Sequence, residues 1–286
     1  MTKSIGIAGS GLMGSGIAEV AAQSGFEVVI RSRSQSGADA AVGRIAKSLA
    51  KQVKKGKVTD DERDETLGRV RPTDDLGEFE LCDIVIESVI EELDTKRQLF
   101  KELDRICSPN AIFATNTSTL PVVEMAMATE RPEQVVGVHF FNPAPKMPLV
   151  EIVPALTTSS QTVDAVRRFA ESCGKDAVTV KDKAGFIVNA LLFPYLNGAV
   201  QMLDAGVASR DDIDTAMKGG CGFPMGPLEL LDLVGLDTSL AILNALNQEQ
   251  PSPCTAPAPL LKRMVVANQL GRKTGRGFYD YSRKSD

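Results

Sequence analysis

His139 is the only histidine in 286 residues. It lies in Val138-His139-Phe140-Phe141-Asn142-Pro143, and Glu151 follows in Leu149-Val150-Glu151-Ile152-Val153. An imidazole changes charge near neutral pH, and a carboxylate beside it can fix its tautomer and stabilise its cation. That is the minimum apparatus for moving one proton at pH 7. The apolar runs 135–141 and 149–153 flank a proline-rich turn, a pattern that reads as two strands reversing on each other. The reversal would bring Glu151 back beside His139. A buried structural pair is the competing reading of these residues alone, since perturbed groups also occur in purely structural networks.

Positioning such a pair requires a scaffold, and the first 30 residues announce one. Residues 5–8 read as a strand, followed by Gly9-Ser10-Gly11-Leu12-Met13-Gly14, a helical pattern through Ile17, Val20 and Ala21, and a second strand over 27–30. A G-x-G-x-x-G that follows a strand and opens a helix is a dinucleotide-binding signal. Gly9 permits the tight turn, Gly11 lets the backbone approach a pyrophosphate, and Gly14 allows close helix–strand packing. The helix N-terminus offers unpaired N–H groups to the phosphates.

An acidic residue roughly 20 positions beyond such glycines usually holds the ribose 2′-OH of NAD. Here the second strand runs into Arg31-Ser32-Arg33-Ser34, with no Asp or Glu between Glu27 and Asp39. Arg33 suits a phosphate dianion with paired, charge-assisted contacts. Arg31 adds long-range attraction, although its side chain could equally point away.

Residues 38–55 read as a helix with Ala41, Ile45, Leu49 and Val53 on one face. Lys47, Lys51, Lys54, Lys55 and Lys57 accumulate towards its end, either as a solvated face or as a surface for a phosphorylated ligand. The runs 84–86 and 111–114 read as buried parallel strands. Glu91, Asn116, Ser118 and the His139 segment fall at or just beyond strand carboxyl ends, where open α/β sheets bind ligands. A helix is expected over 94–106 and a last short strand over 178–180. From 183 the character changes to helices, expected over 186–205 with Pro194 inside, from Ser209 as N-cap, and over 228–234, 238–247 and 259–270. The expectation is therefore an α/β domain over 1–183 and an all-helical domain over 184–286, whose Leu and Met stripes are core or subunit interface.

The net charge of -5 argues against a nucleic-acid surface, and hydrophobic residues at 43% are ample for a core. No apolar run reaches transmembrane length, and the first residues enter a strand pattern without a signal peptide's apolar region. The five cysteines form no C-x-x-C pair and, with one histidine, no zinc spacing, so reduced thiols, no metal and a cytoplasmic location are expected.

Taken together the sequence resembles the 3-hydroxyacyl-CoA dehydrogenase family, most of all its single-function bacterial 3-hydroxybutyryl-CoA members. The resemblance spans nearly the whole chain. It rests on Gly9-Ser10-Gly11-Leu12-Met13-Gly14, Asn116-Thr117-Ser118, His139-Phe140-Phe141-Asn142-Pro143, Ala184-Gly185-Phe186-Ile187-Val188-Asn189, Pro224-Met225-Gly226-Pro227 and Gly275-Arg276-Gly277-Phe278-Tyr279, all in order. It implies a Rossmann-type domain followed by a helical domain that dimerises, an acyl-CoA substrate of fatty acid metabolism, and a nicotinamide cofactor. By that resemblance His139 is the general acid/base and Glu151 its orienting partner. Ser118 contacts the substrate oxygen and the cofactor side, and Asn189 fixes the substrate carbonyl. Glu91, Lys96, Asn142 and Lys273 fall where the family binds the nicotinamide half, and Ser48 and Lys55 where it holds the adenosine-phosphate end of CoA. Ser32 stands where NAD-using members carry an acid, which with Arg33 favours NADP over NAD. The alternatives are a hydroxyacyl group on acyl carrier protein, which lacks the adenosine end, and a non-catalytic cofactor-binding relative.

Overall fold

The structure is a computed structural model and describes residues 2–282. The chain divides by its contacts into a unit of residues 1–182 and a unit of residues 183–286. In the first, the strands are β1 (Ser4–Ala8), β2 (Glu27–Arg31), β3 (Val70–Thr73), β4 (Ile84–Glu87), β5 (Ile112–Thr115), β6 (Val135–Phe140), β7 (Leu149–Pro154) and β8 (Asp176–Thr179). They form one sheet in the order β3-β2-β1-β4-β5-β6-β7-β8. Every pairing is parallel except β6 with β7. The helices between them are α1 (Leu12–Gln23), α2 (Gln35–Lys54), α3 (Asp60–Gly68), α4 (Leu93–Ile106), α5 (Val122–Ala126) and α6 (Ser160–Ser172). This is an α/β Rossmann-like sheet, and the near-continuous apolar strands Ile5–Ala8 and Ile84–Ile86 are buried because helices cover both faces. The chain reverses direction across the sheet between β1 and β4, which makes their carboxyl ends the crevice of the fold.

The glycine loop is fixed by sterics. Gly9 has φ +129°, and a Cβ there would lie 2.2 Å from the Ser88 carbonyl oxygen. A Cβ on Gly14 would lie 1.9 Å from the Gly9 carbonyl oxygen, while nothing lies within 4 Å of one on Gly11. The first and third glycines therefore serve packing and the second keeps the loop open to a ligand.

Several elements differ from the sequence expectation. The segment α3–β3 lacks a clear periodic signal: Thr66 is the only buried residue of α3, and β3 is a four-residue edge strand containing Pro72. Its readable sign is the capping box of Thr59 and Glu62. Helix α6 likewise begins at an N-cap, Ser159, that accepts from the Thr162 N–H. Helix α2 starts three residues before the expected 38, because Ser34 caps it by accepting from the Gly37 N–H.

The second unit is helical: α7 (Val188–Asp204), α8 (Arg210–Cys221), α9 (Pro227–Val234), α10 (Leu236–Glu249) and α11 (Pro259–Val266). Its core gathers Phe193, Leu196, Leu228, Leu231, Leu243 and Leu261. Helix α7 begins later than expected because Gly185 (φ 75°) and Phe186 (φ 50°) are left-handed, and α11 ends early, just before Asn268 (φ 56°). Pro194 lies inside α7 without ending it.

Two buried aspartates explain the glycine- and proline-rich motifs of this unit. Asp214 accepts from the Leu228 and Glu229 N–H groups at 2.8 and 3.0 Å and from the Tyr279 hydroxyl at 2.8 Å. Asp232 accepts from the Phe278 and Tyr279 N–H groups at 2.9 and 2.8 Å. A Cβ on Gly226 would lie 2.2 Å from Asp214, and one on Gly277 1.9 Å from Asp232. These glycines are thus the space that the carboxylates occupy. Replacing Asp214 by alanine leaves three donors to find new partners and is expected to cost about 2 kcal/mol. The loss is measured by calorimetry as a lower Tm of the helical unit; an unchanged Tm would show that the donors re-pair without strain.

Among the described residues no helix is long and apolar enough to cross a membrane.

Candidate active site

The antiparallel pairing of β6 with β7 places His139 directly opposite Glu151. Their side chains meet at 2.7 Å, Nδ1 to Oε2, with His139 6% exposed and Glu151 fully buried. Opposed residues on one face of such a pair are neighbours by the two-residue period of the strands. A neutral ring that donates from Nδ1 to the carboxylate carries its basic lone pair on Nε2. The Phe141 ring packs against the imidazole, with centroids 4.5 Å apart.

Neighbouring strand ends are tied to this pair. The Asn116 side-chain oxygen accepts from the Phe140 N–H at 2.9 Å, which locks the loop after β5 to the strand that carries His139. Glu91 accepts from the Ser118 N–H at 3.0 Å and from the Thr117 hydroxyl. Behind it Lys96, 1% exposed, lies 2.9 Å from Glu91 and 2.8 Å from the fully buried Glu87. Glu87 also accepts from the Thr115 hydroxyl at 2.7 Å and the Val89 N–H at 2.7 Å. Burial pushes the Glu91 carboxyl up, but the Lys96 charge and the bonds from Thr117, Lys96 and Ser118 outweigh it and hold the group below the usual carboxylate range.

Lys96, expected by resemblance among the residues that bind the nicotinamide half, has its ammonium buried between two carboxylates. It positions Glu91 and the Ser118 loop from behind. Glu87 was not anticipated, although its signal was visible: a carboxylate ending an apolar strand, with a lysine in the first turn of the following helix.

Ser10 donates to the Ser32 hydroxyl at 2.8 Å, joining the glycine loop to the end of β2. A Cβ on Gly37 would lie 2.4 Å from the Ser32 oxygen, so the glycine makes room for that side chain. Arg33 is exposed, whereas Arg31 turns away to donate to the Asp74 carbonyl at 3.2 Å. Leu12 is exposed and Met13 half-buried at the start of α1.

Helices α1 and α2 and the loop after β6 enclose a cavity of about 570 Å³ lined by both Ser48 and Lys55 and by Asn142. Five basic side chains line it: Arg44, Lys51, Lys55, Lys57 and Lys146. Arg44 donates to the Ser15 hydroxyl at 3.1 Å and to the Ser10 carbonyl, so it joins the cavity wall to the glycine loop. At its base lies Glu19, 2% exposed, accepting from Ser48 at 2.8 Å and Gln52 at 2.7 Å. Burial pushes the Glu19 carboxyl from its ordinary 4.5 up to about 7, against the lowering by those two bonds. Its folded-state value is raised, so its contribution to stability is complete below about pH 4.5 and is lost as pH rises through about 7.

In the helical unit, Asn189 is buried in the first turn of α7, and Lys273 pairs with Asp237.

A family model described as the NAD-binding domain of 3-hydroxyacyl-CoA dehydrogenase matches residues 4–183, and the model of that family's C-terminal domain matches 185–281. The chain belongs to the 3-hydroxyacyl-CoA dehydrogenase family. It is 47% identical over 279 residues to a 3-hydroxybutyryl-CoA dehydrogenase of Mycobacterium tuberculosis, covering 97% of this chain and 98% of the relative. It is 42% identical to the mitochondrial hydroxyacyl-coenzyme A dehydrogenase of Sus scrofa, covering 98% of this chain and 92% of that one. The crystal structure of an (S)-3-hydroxybutyryl-CoA dehydrogenase from Ralstonia eutropha superposes with a TM-score of 0.96 at 41% identity, covering 99% and 100% of the two chains. As a 3-hydroxyacyl-CoA dehydrogenase the chain is an oxidoreductase that uses a nicotinamide dinucleotide, and the open glycine loop fits the pyrophosphate of such a cofactor.

Proposed function

We propose that this dehydrogenase interconverts (S)-3-hydroxybutyryl-CoA and acetoacetyl-CoA, with His139 as general acid/base and NADP(H) as its preferred cofactor. The observation that carries the reading is the buried His139–Glu151 pair at 2.7 Å, on the strand next to the Ser118 loop. In the oxidative direction His139 removes the substrate hydroxyl proton, and Glu151 stabilises the imidazolium that results. In reduction the same ring returns the proton to the carbonyl oxygen. The chemistry that a bound nicotinamide supplies is hydride transfer at C3. Ser118 holds the reacting oxygen, and Glu91 keeps its loop in place through the Ser118 N–H. Asn189 orients the thioester carbonyl, and Asn142 and Lys273 bind the nicotinamide half. Gly9, Ser10, Gly11, Leu12, Met13 and Gly14 cradle the pyrophosphate.

The basic cavity at Ser48 and Lys55 supports CoA over a protein carrier, because it suits a phosphate-bearing nucleotide end. Reduction of acetoacetyl-CoA followed with NADPH and NADH in parallel tests the whole reading. Turnover with NADPH favoured is expected; no turnover with either cofactor sinks it.

For the cofactor, support comes from the end of β2. A carboxylate at this turn would bond the ribose diol and repel a 2′-phosphate. Ser32 accepts from Ser10 and so keeps its own proton for donation. Arg33 is exposed beside it, while Arg31 is engaged with Asp74 and takes no part. Ser32→Asp is expected to raise KM for NADPH and improve use of NADH. Arg33→Ala is expected to weaken NADPH selectively by roughly 1.5–3 kcal/mol. Equal effects on both cofactors, or a wild-type preference for NADH, would remove the 2′-phosphate from this loop.

The five free cysteines suit a cytoplasmic enzyme. Exposed Leu191, Met202 and Val207, on and just after α7, suit burial in a homodimer.

A further inference from the structure

We propose that Glu19 couples binding of the phosphate-bearing end of the acyl-CoA to uptake of one proton. The inference rests on the reading that the cavity at Ser48 and Lys55 receives that end. Its own basis is a conflict of hydrogen bonds at the cavity floor.

A serine hydroxyl has one proton to donate, and an ionised carboxylate only accepts. Ser48 and Gln52 both donate to the same Glu19 oxygen, at 2.8 and 2.7 Å. While Glu19 is ionised, the Ser48 proton is directed into the floor and not towards a ligand phosphate. A protonated Glu19 needs fewer donors and carries one of its own, so Ser48 can turn its hydroxyl to the ligand.

Charge works in the same direction. The charged groups that face Glu19 across the cavity are Arg44, Lys51 and Lys55 of α2, Lys57 of the following turn and Lys146 of the loop after β6. The other elements packed on α1, namely α3, β1 and β2, contribute none to the lining. The ionised carboxylate is favoured by the bonds from Ser48 and Gln52, and burial opposes it and outweighs them. An arriving phosphate repels a carboxylate and draws the Ser48 hydroxyl away from it, so the ionised form loses further ground. Ligand binding therefore raises the proton affinity of Glu19, and linkage requires that protonation strengthens ligand binding in turn.

The test compares acetoacetyl-CoA with the N-acetylcysteamine thioester of the same acyl group, which lacks the phosphate-bearing end, between pH 6 and 8. In wild type, KM for the CoA ester is expected to rise with pH by up to roughly tenfold. KM for the truncated thioester is not expected to follow, which also removes any contribution from enolisation of the acyl group. In Glu19→Gln, which keeps the shape without the charge, the extra rise should vanish. The same rise in that variant, or none in wild type, overturns the proposal.

A second measurement needs no variant. Calorimetric titration of wild type with CoA at pH 8, in buffers of different ionisation heat, should show uptake of about one proton; zero uptake overturns the coupling. Lys55→Ala separates this result from the reading beneath it. If that variant leaves KM for acetoacetyl-CoA unchanged at every pH, the cavity does not hold the nucleotide end and the site assignment fails instead.

Discussion

Replacing His139 with glutamine is expected to lower kcat by about 10²–10⁴-fold while cofactor binding is retained. Glutamine keeps a polar group of similar reach but cannot cycle a proton at neutral pH. The Glu151 carboxylate, fully buried and 2.7 Å from the imidazole, would then face an amide that cannot become a cation, so the stabilisation proposed for it is expected to disappear. Cofactor binding should survive because the glycine loop lies on β1 and α1, elements that do not depend on this pair. The measurement is single-turnover reduction of acetoacetyl-CoA, read by nicotinamide absorbance, alongside a titration of the variant with cofactor. Near wild-type turnover would remove His139 from the mechanism. Loss of cofactor binding along with turnover would instead make the pair structural.

The second large effect is on stability. Lys96→Met is expected to destabilise the first unit by about 3–5 kcal/mol, because it leaves Glu87 as a buried carboxylate with no counter-charge. Lys96 is 1% exposed and Glu87 fully buried, so solvent cannot substitute for the lost ammonium. In Tm this is a fall on the order of 10 °C. The chain contains no tryptophan, so unfolding is followed by circular dichroism or calorimetry. Pairing the change with Glu87→Leu should recover part of the loss, since both charges are then gone. A drop in stability below about 1 kcal/mol would show that water or local rearrangement compensates Glu87. Activity supplies a second readout. Glu91 loses the ammonium that lowers its carboxyl and positions it against the Ser118 N–H, so KM should rise even where the variant remains folded.

These two sites differ in how far the linear sequence exposes them. The His139–Glu151 pair was legible because its geometry is local. Two apolar runs joined by a proline-rich turn make an antiparallel reversal, and one register brings His139 opposite Glu151. The glycine loop was legible for the same reason, since the turn, the close approach of Gly14 to Gly9 and the helix start all lie within six consecutive residues. The helical character of the second unit followed from apolar periodicity. Its precise helix ends did not, because Phe186 and Asn268 adopt left-handed conformations that their types do not announce.

The supporting shell depended on contacts between distant segments. Thr115 and Thr117 reach Glu87 and Glu91 only because β4 and β5 are neighbours in the sheet, although the Glu87–Lys96–Glu91 cluster itself is local. Glu19 looks, by type, like an ordinary polar residue of an amphipathic helix. It becomes a buried carboxyl with its value near 7 because α2, some 30 residues on, packs Ser48 and Gln52 against it. The direction of Arg31 was equally open until β3 and the Asp74 carbonyl were placed beside it. Local sterics and periodicity are written in adjacent residues. Desolvation and hydrogen-bond partnership arise only when remote elements pack and exclude water, and here those effects set the charge behind the Ser118 loop and beneath the basic cavity.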